Sequence, residues 1–365
     1  MSRSKNARKI SRGSEQAVPL TVADIPVLNY LKENVAGKLV MDDGEILPFR
    51  VDELQNSSDV IESALIGNGR NGEAFKVRLP NYARFYVVKK VRINFDRKPE
   101  SSEFADINKI KHEISALRRL SSSCPYIAHY YGFAMNAEIG LICTEYAEAT
   151  LQQTIAVTFN ELRLESFNEC VLSNIAVAVV TAIHHIRATE RFSYRDIKPS
   201  NILITEEGRV KLADFGLAGY LYSHLTTGTQ ASIYTAPERI VGNRVRLDTR
   251  ADAWSLGLTL LEACLGFFPY RRSKDPLVVP AEEFLKRIAS RAAPAMLGAP
   301  MNYKTLEFVN SCLVKDVEKR ADVAALMRSE FYRVHVDHMR AIEATTSRFM
   351  TRVLPHLERT EQPTE

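Results

Sequence analysis

The sequence predicts an α+β protein of two lobes: a small β-rich lobe with one main helix, then a larger helical lobe. Three observations carry this reading. Short alternating apolar runs dominate as far as about residue 145, with a single stretch of helical spacing among them. After residue 150 the balance changes to helical stretches. A length of 365 residues also exceeds what one small core normally needs.

Residues 1–50 read as a flexible basic tail holding at most one short helix, within "DIPVLNYLKENVAGK". Arg3, Lys5, Arg8, Lys9 and Arg12 precede the first acid, Glu15, and without these five the net charge of +4 becomes −1. The body is therefore close to neutral, which argues against a nucleic-acid surface across the fold. The tail has no apolar core of the kind a secretory signal carries. Residues 51–145 form the small lobe. "DVIESALIGNGRNGEAFKVRL" alternates and turns on glycines, "RFYVVKKVRI" is rich in strand formers, and "YIAHYYGFAM" and "IGLICTEYA" read as two further strands. Between them "DINKIKHEISALRRL" sets Ile107, Ile110, Ile114, Leu117 and Leu120 three and four apart, an amphipathic helix.

Residues 146–335 form the helical lobe, with helices in "FNECVLSNIAVAVVTAIHHIRAT", "DTRADAWSLGLTLLEACLG", "FLKRIAS", "LEFVNSCLV" and "VAALMRSEFYRV". The first holds the longest apolar stretch, "VLSNIAVAVVTAI". It is too short and too interrupted by Ser, Asn and Thr for a membrane span, so no membrane insertion is expected. Residues 336–365 are a C-terminal extension with a helix continuing through "FYRVHVDHMRAIEATTSRFM". The five cysteines are an odd number, far apart and without a Cys-x-x-Cys pair, which suits buried thiols in a reducing compartment. The expected location is cytoplasmic, with passage to the nucleus left open.

Three features then fall in order along the chain. "GNGRNG" places Gly67, Gly69 and Gly72 between two strands rather than between a strand and a helix. That disfavours a dinucleotide site and suits a hairpin whose backbone N–H groups meet a phosphate chain. Lys89 lies in the next strand and Glu113 in the following helix, a cation for phosphate oxygens with a carboxylate to hold it. "FSYRDIKPSNILI" concentrates Arg195, Asp196, Lys198 and Asn201 in a loop that Pro199 keeps from being a regular helix, and "DFG" follows at Asp214. A polar turn before a strand accounts for one such loop but not for all three features in this order. Phosphoryl transfer requires a carboxylate near the attacking hydroxyl, cations on the phosphates and hard oxygen ligands for Mg²⁺. Asp196, Lys198, and the pair Asn201 and Asp214 are the side chains suited to those tasks.

On these motifs residues 58–335 resemble the protein kinase family. The resemblance implies the two-lobed kinase fold, ATP and Mg²⁺ as cofactors, and catalytic roles for Asp196, Lys198, Lys89 and Glu113. It implies nucleotide contacts from Gly67, Asn68, Gly69, Gly72, Ala74, Val87, Lys89, Thr144, Glu145, Tyr146 and Leu203, with Asn201 and Asp214 as metal ligands. "APE" at Ala236–Glu238 would close the activation segment, Glu238 would pair with Arg320, and Asp252 matches a helical-lobe signature. Within the family, "CPYIAHYYGFAM", "SYRDIKPSNILI", "LADFGLAGYL" and "FVNSCLVKDVEKRAD" most resemble MAP kinase kinases. That implies a MAP kinase as substrate, phosphorylated on Thr and Tyr, and an upstream MAP kinase kinase kinase as activator.

The sequence departs from the family pattern at several points. Tyr194 stands where His is usual, in a spine with Phe215, Leu117 and Tyr130. Ala74 replaces the usual Val and Val87 the usual Ala, a volume-conserving exchange over the adenine slot if the two are neighbours. Ser223 and Thr227 have the spacing of paired phosphorylation sites, with Thr226 and Thr229 as competitors and a plain Ser/Thr-rich loop as the other reading. Gly228-Thr229 lies two residues too early for the usual spacing to Tyr234. Arg8, Lys9 and Arg12 followed by Val18-Pro19-Leu20 resembles a basic-plus-apolar MAP kinase docking motif, although basic tails are common. A catalytically weak scaffold and a Ser/Thr kinase with another substrate remain open beside the dual-specificity reading.

Overall fold

The computed structural model describes residues 37–49, 62–69, 72–79, 82–92, 114–135, 139–190, 193–215, 232–242, 249–296 and 301–361. The small lobe is one antiparallel sheet. Its strands are β1 (Lys38–Val40), β2 (Ile46–Pro48), β3 (Glu62–Gly69), β4 (Gly72–Arg78), β5 (Phe85–Arg92), β6 (Tyr130–Met135) and β7 (Ile139–Glu145). They lie in the order β2-β1-β6-β7-β5-β4-β3. Residues 114–121 form helix α1, which buries Ile114, Leu117 and Leu120 as their spacing predicts. Ile107 and Ile110 lie outside the described residues.

The first correction concerns the tail. The sequence assigns all of residues 1–50 to a flexible segment, whereas β1 and β2 form a hairpin that joins the sheet by pairing β1 with β6. Leu39, Met41 and Phe49 are buried with Val77, Tyr86, Val88, Tyr131 and Cys143 in one cluster. Polar residues Asp42, Asp43 and Glu45 in the turn mask this short alternation in sequence. The helix expected earlier in the tail and the basic docking segment lie outside the described residues.

The larger lobe begins with β8 (Ala149–Thr150), which forms a second sheet with β9 (Ile202–Ile204) and β10 (Val210–Leu212) in the order β10-β9-β8. Helix α2 (Leu151–Ala156) starts on a capping box in which Thr150 and Gln153 satisfy each other's backbone N–H groups. Helix α3 (Glu169–Glu190) is the core of the lobe. It is long and apolar enough to cross a membrane by composition, but 72% of that stretch is buried in the protein. The remaining helices are α4 (Pro237–Ile240), α5 (Arg250–Leu265), α6 (Ala281–Ser290), α7 (Tyr303–Cys312), α8 (Val323–Arg328), α9 (Glu330–Val336) and α10 (Met339–Glu361). Arg287 of α6 holds Asp275 in the preceding loop through its two terminal guanidinium nitrogens, Nη2 at 2.9 Å.

Two predicted helices are divided differently. "VAALMRSEFYRV" splits at Ser329, whose backbone is extended and whose hydroxyl accepts from Tyr332 N at 3.2 Å, so it caps a new helix. "FYRVHVDHMRAIEATTSRFM" splits at Asp337–His338, and α10 then runs on through Pro355 to Glu361. Helix α10 lies along α3. Met350 and Val353 are fully buried, and the Phe349 ring meets Phe167 at 5.7 Å. Asn174 of α3, itself fully buried, donates from Nδ2 to Gly208 O at 2.7 Å and to Thr346 Oγ1 at 2.8 Å. Cys124, Cys143, Cys264 and Cys312 are buried free thiols and Cys170 is exposed.

Candidate active site

The glycine hairpin forms between strands. Gly67, Asn68 and Gly69 of β3 face Ala74, Glu73 and Gly72 of β4, with the register shifting between Leu65 and Gly67. The turn itself and the Asn68 side chain lie outside the described residues. β4 and β5 place Ala74 opposite Lys89 and Val87 opposite Lys76, so Ala74 and Val87 share one face as diagonal neighbours. Val87 is also opposite Thr144 of β7, at the end of the strand that leads through Glu145 and Tyr146 into the larger lobe.

Lys89 Nζ meets Asp214 Oδ1 at 2.8 Å, joining the two lobes across 125 positions of sequence. Glu113, the expected partner of Lys89, lies outside the described residues. Pro199–Asn201 form a single 3-10 turn feeding β9, as the proline requires, and this turn folds the loop onto itself. Lys198 Nζ reaches Asp196 Oδ2 at 2.7 Å, and Asn201 Nδ2 donates to the same oxygen at 2.8 Å and to Asp196 O at 2.9 Å. Asp196 is 4% exposed. Burial pushes its carboxyl up, opposed by Lys198 and Asn201. Both donors meet Oδ2, so Oδ1 is the Asp196 oxygen that faces no named donor among the described residues and can accept from a hydroxyl.

The loop is held from below by a fully buried acid. Asp252 near the start of α5 accepts from Tyr194 N at 3.0 Å and Arg195 N at 2.7 Å. Burial pushes its carboxyl up to about 6, against the pull of those two N–H groups. Arg195 and Asp214 both sit in the left-handed region, with φ of 71° and 57°, a conformation that costs non-glycine residues energy and recurs at functional sites. Tyr194 lies between them. Its hydroxyl donates to the carbonyls of Ala213 and Asp214, the latter at 3.0 Å, and its ring meets Phe215 edge-on at 5.2 Å. Phe215 and Leu117 are buried and Tyr130 is partly buried against the same core, so the spine residues fall within one cluster.

Leu203, midway along β9, pairs with Thr150 and Lys211 and is half-buried. The Glu145 side chain turns away from the cleft: its Oε2 takes Lys211 Nζ at 2.8 Å and His129 N at 2.9 Å. Its main-chain N–H is likewise engaged, by His129 O at 2.8 Å, so what Glu145 can offer a nucleotide is its carbonyl oxygen. Sequence reasoning missed Lys211, although a lysine within an otherwise apolar strand was the available signal. It also missed Glu262 of α5, which accepts the Tyr234 hydroxyl at 2.6 Å. Glu238 and Arg320 pair at 2.9 and 3.0 Å, as expected, with the arginine side chain wholly buried. Residues 216–231, and with them Ser223 and Thr227, lie outside the described residues.

The donor set suits a magnesium nucleotide. Asn201 uses Nδ2 on Asp196, so its hard amide oxygen is what it has for a cation, and the Asp214 carboxylate supplies the second oxygen ligand. Lys89 and Lys198 bring positive charge to the same cleft. Bound there, the metal would neutralise phosphate charge, and Asp196 would keep Oδ1 for a hydroxyl while Lys198 and Asn201 hold Oδ2.

A two-lobed fold with this site defines a protein kinase, and the chain belongs to that family: the protein kinase domain matches residues 61–332. Its similarity extends to named relatives. Dual specificity mitogen-activated protein kinase kinase 7 of Rattus norvegicus is 27% identical over 324 residues, covering 86% of this chain and 70% of the relative. The human protein of the same name is 27% identical over 299 residues, covering 80% of this chain and 65% of its own length. MAP kinase kinase mkk-4 of Caenorhabditis elegans is 28% identical over 286 residues, covering 77% and 75%.

Proposed function

We propose that this kinase is a dual-specificity MAP kinase kinase, transferring the ATP γ-phosphate to a Thr and a Tyr of a MAP kinase. The observation that carries the catalytic part is the buried Asp196 gathering Lys198 and Asn201 beside the Lys89–Asp214 bridge. Asn201 and Asp214 would hold Mg²⁺, which would neutralise phosphate charge, while Asp196 takes the hydroxyl proton and Lys198 approaches the transferring phosphoryl group. An upstream MAP kinase kinase kinase activates the chain by phosphorylation at Ser223 and Thr227. Arg8, Lys9, Arg12 and Val18-Pro19-Leu20 dock the substrate, and the enzyme works in the cytoplasm. The likeness to MAP kinase kinases supports the choice of substrate class.

The test is transfer of labelled phosphate from ATP to a panel of kinase-inactive MAP kinases, using the chain with Ser223 and Thr227 changed to acids. Label on both the Thr and the Tyr of one panel member, absent with Asp196→Asn, is the expected result. MgATP binding without label on any member would turn the reading to a scaffold, and label on Ser or Thr of other proteins alone to a kinase of different substrate.

A further inference from the structure

The hairpin β1–β2 precedes the residues that match the kinase domain, yet it is connected to the hinge between the lobes. β1 approaches β6 closely because Gly132 has no side chain: a Cβ there would overlap the Lys38 carbonyl oxygen and the Leu39 side chain. Beside Gly132 the register shifts and Tyr131 projects into the cluster that Leu39, Met41 and Phe49 complete. The Tyr131 ring meets Tyr86 edge-on at 5.0 Å and His129 at 4.8 Å. Arg84 lies over the Tyr86 and Tyr131 rings, 5.4 Å from each, donates from Nε to Tyr86 OH at 3.0 Å, and pairs with Asp42 in the hairpin turn. Tyr131 OH is 3.4 Å from the same Asp42 oxygen.

Both aromatic contacts of Tyr131 flank one residue. Tyr86 is the cross-strand partner of Glu145, and His129 exchanges two hydrogen bonds with it: Glu145 N to His129 O at 2.8 Å and His129 N to Glu145 Oε2 at 2.9 Å. Glu145 is the last residue of β7, where the chain crosses to the larger lobe. Its carboxylate holds Lys211, three residues before Asp214. We propose that the β1–β2 hairpin is a positioning element of the nucleotide hinge, with Asp42, Arg84 and Tyr131 acting through Tyr86 and His129 on Glu145. This rests on the MgATP kinase reading above. It assigns to a segment ahead of the matched domain a share in nucleotide affinity that cavity filling alone would not give it.

The experiment measures the dissociation constant for MgATP and the thermal midpoint on the full chain. The variants are Gly132→Ala, Asp42→Ala and the exchange Asp42→Arg with Arg84→Asp. Asp275→Ala, which breaks an ion pair in the other lobe, is the control for lost stability. Expected is a weakening of MgATP binding by about tenfold for Gly132→Ala, within the range of coupling through packed networks. Asp42→Ala should weaken it about two- to fivefold, as suits a half-exposed pair. The exchange keeps the two charges but takes the guanidinium off the Tyr86 and Tyr131 rings, so it should weaken binding at least as much as Asp42→Ala. Asp275→Ala should leave affinity within about twofold of the unsubstituted chain. A lowered midpoint with unchanged MgATP affinity in both hairpin variants overturns the proposal and leaves a purely structural hairpin. If Gly132→Ala does not fold, the half-exposed Asp42→Ala decides alone. Failure of the unsubstituted chain to bind MgATP overturns the kinase reading, and this proposal with it.

Discussion

A phenol where the family carries an imidazole changes what the residue before Arg195 can hold. Its hydroxyl reaches the carbonyls of Ala213 and Asp214, so one side chain fixes the main chain on which Asp214, the partner of Lys89, is strained. Tyr194→Phe keeps the ring against Phe215 but leaves these buried carbonyls without that donor, a loss of about 1–3 kcal/mol. A fall in kcat of about five- to a hundredfold is expected, measured beside the thermal midpoint. A midpoint that drops while kcat holds would confine the hydroxyl to folding. Asp196→Asn should cost about a hundredfold or more in kcat without abolishing MgATP binding, since general-base removal acts on the chemical step. At this scale the sequence was readable where chemistry dictates residue type, as at Asp196, Lys198 and Asn201. It was silent where a side chain meets main chain or a distant partner. Nothing local to Tyr194 announces that its hydroxyl meets Asp214 O, and nothing beside Glu145 names Lys211.

Among the elements, α10 is held against the turn between β9 and β10. Gly208, in the turn between β9 and β10, has φ of 79°, and a Cβ there would overlap the Glu343 carbonyl oxygen of α10. Gly208→Ala combines a left-handed penalty of about 1–2 kcal/mol with displacement of the helix. Amide exchange in residues 339–357 should accelerate well beyond that in α3, and uniform acceleration would show the helix is not separately held. Periodicity identified α1 because it buries one clear face, whereas α3 and α5 were legible as long apolar stretches, buried all round over Val171–Val180 and Asp252–Leu261. It failed at Ser329 and Asp337, where capping interrupts a continuing apolar pattern, and at β1–β2, where three-residue strands are too short for alternation to register.

For the molecule as a whole, buried acids set the response to pH. Burial lifts Glu262 to about 7 from an ordinary 4.5, with the Tyr234 hydroxyl opposing the shift, and lifts Asp252 to about 6. A carboxyl whose value is raised on folding binds its proton more tightly in the native state, so these groups make stability fall as pH rises between the unfolded and folded values. Glu262→Gln should therefore raise the thermal midpoint at pH 8 relative to the native chain, with the gain shrinking toward pH 5. A gain independent of pH would assign it to packing. Removing one partner of the buried Glu238–Arg320 pair, as in Arg320→Ala, should cost about 3–5 kcal/mol by thermal or denaturant unfolding, because it strands the other charge. The two-lobe plan and the order of the motifs were plain in sequence, since they run along the chain. The bridge from Lys89 to Asp214 and the bond from Asn174 to Thr346 join distant positions, and a single sequence carries no record of such pairings.

That last bond has a consequence for synthesis. Asn174 and Thr346 are 172 positions apart, and Met350 and Val353 cover α3 from the far end of the chain. While the ribosome is still adding residues, the central helix of the larger lobe must wait with an apolar flank uncovered and the Asn174 amide without Thr346 until α10 has been made. Contacts of such long range form late and slowly, so the nascent large lobe should need a chaperone to shield that flank far more than the small lobe does.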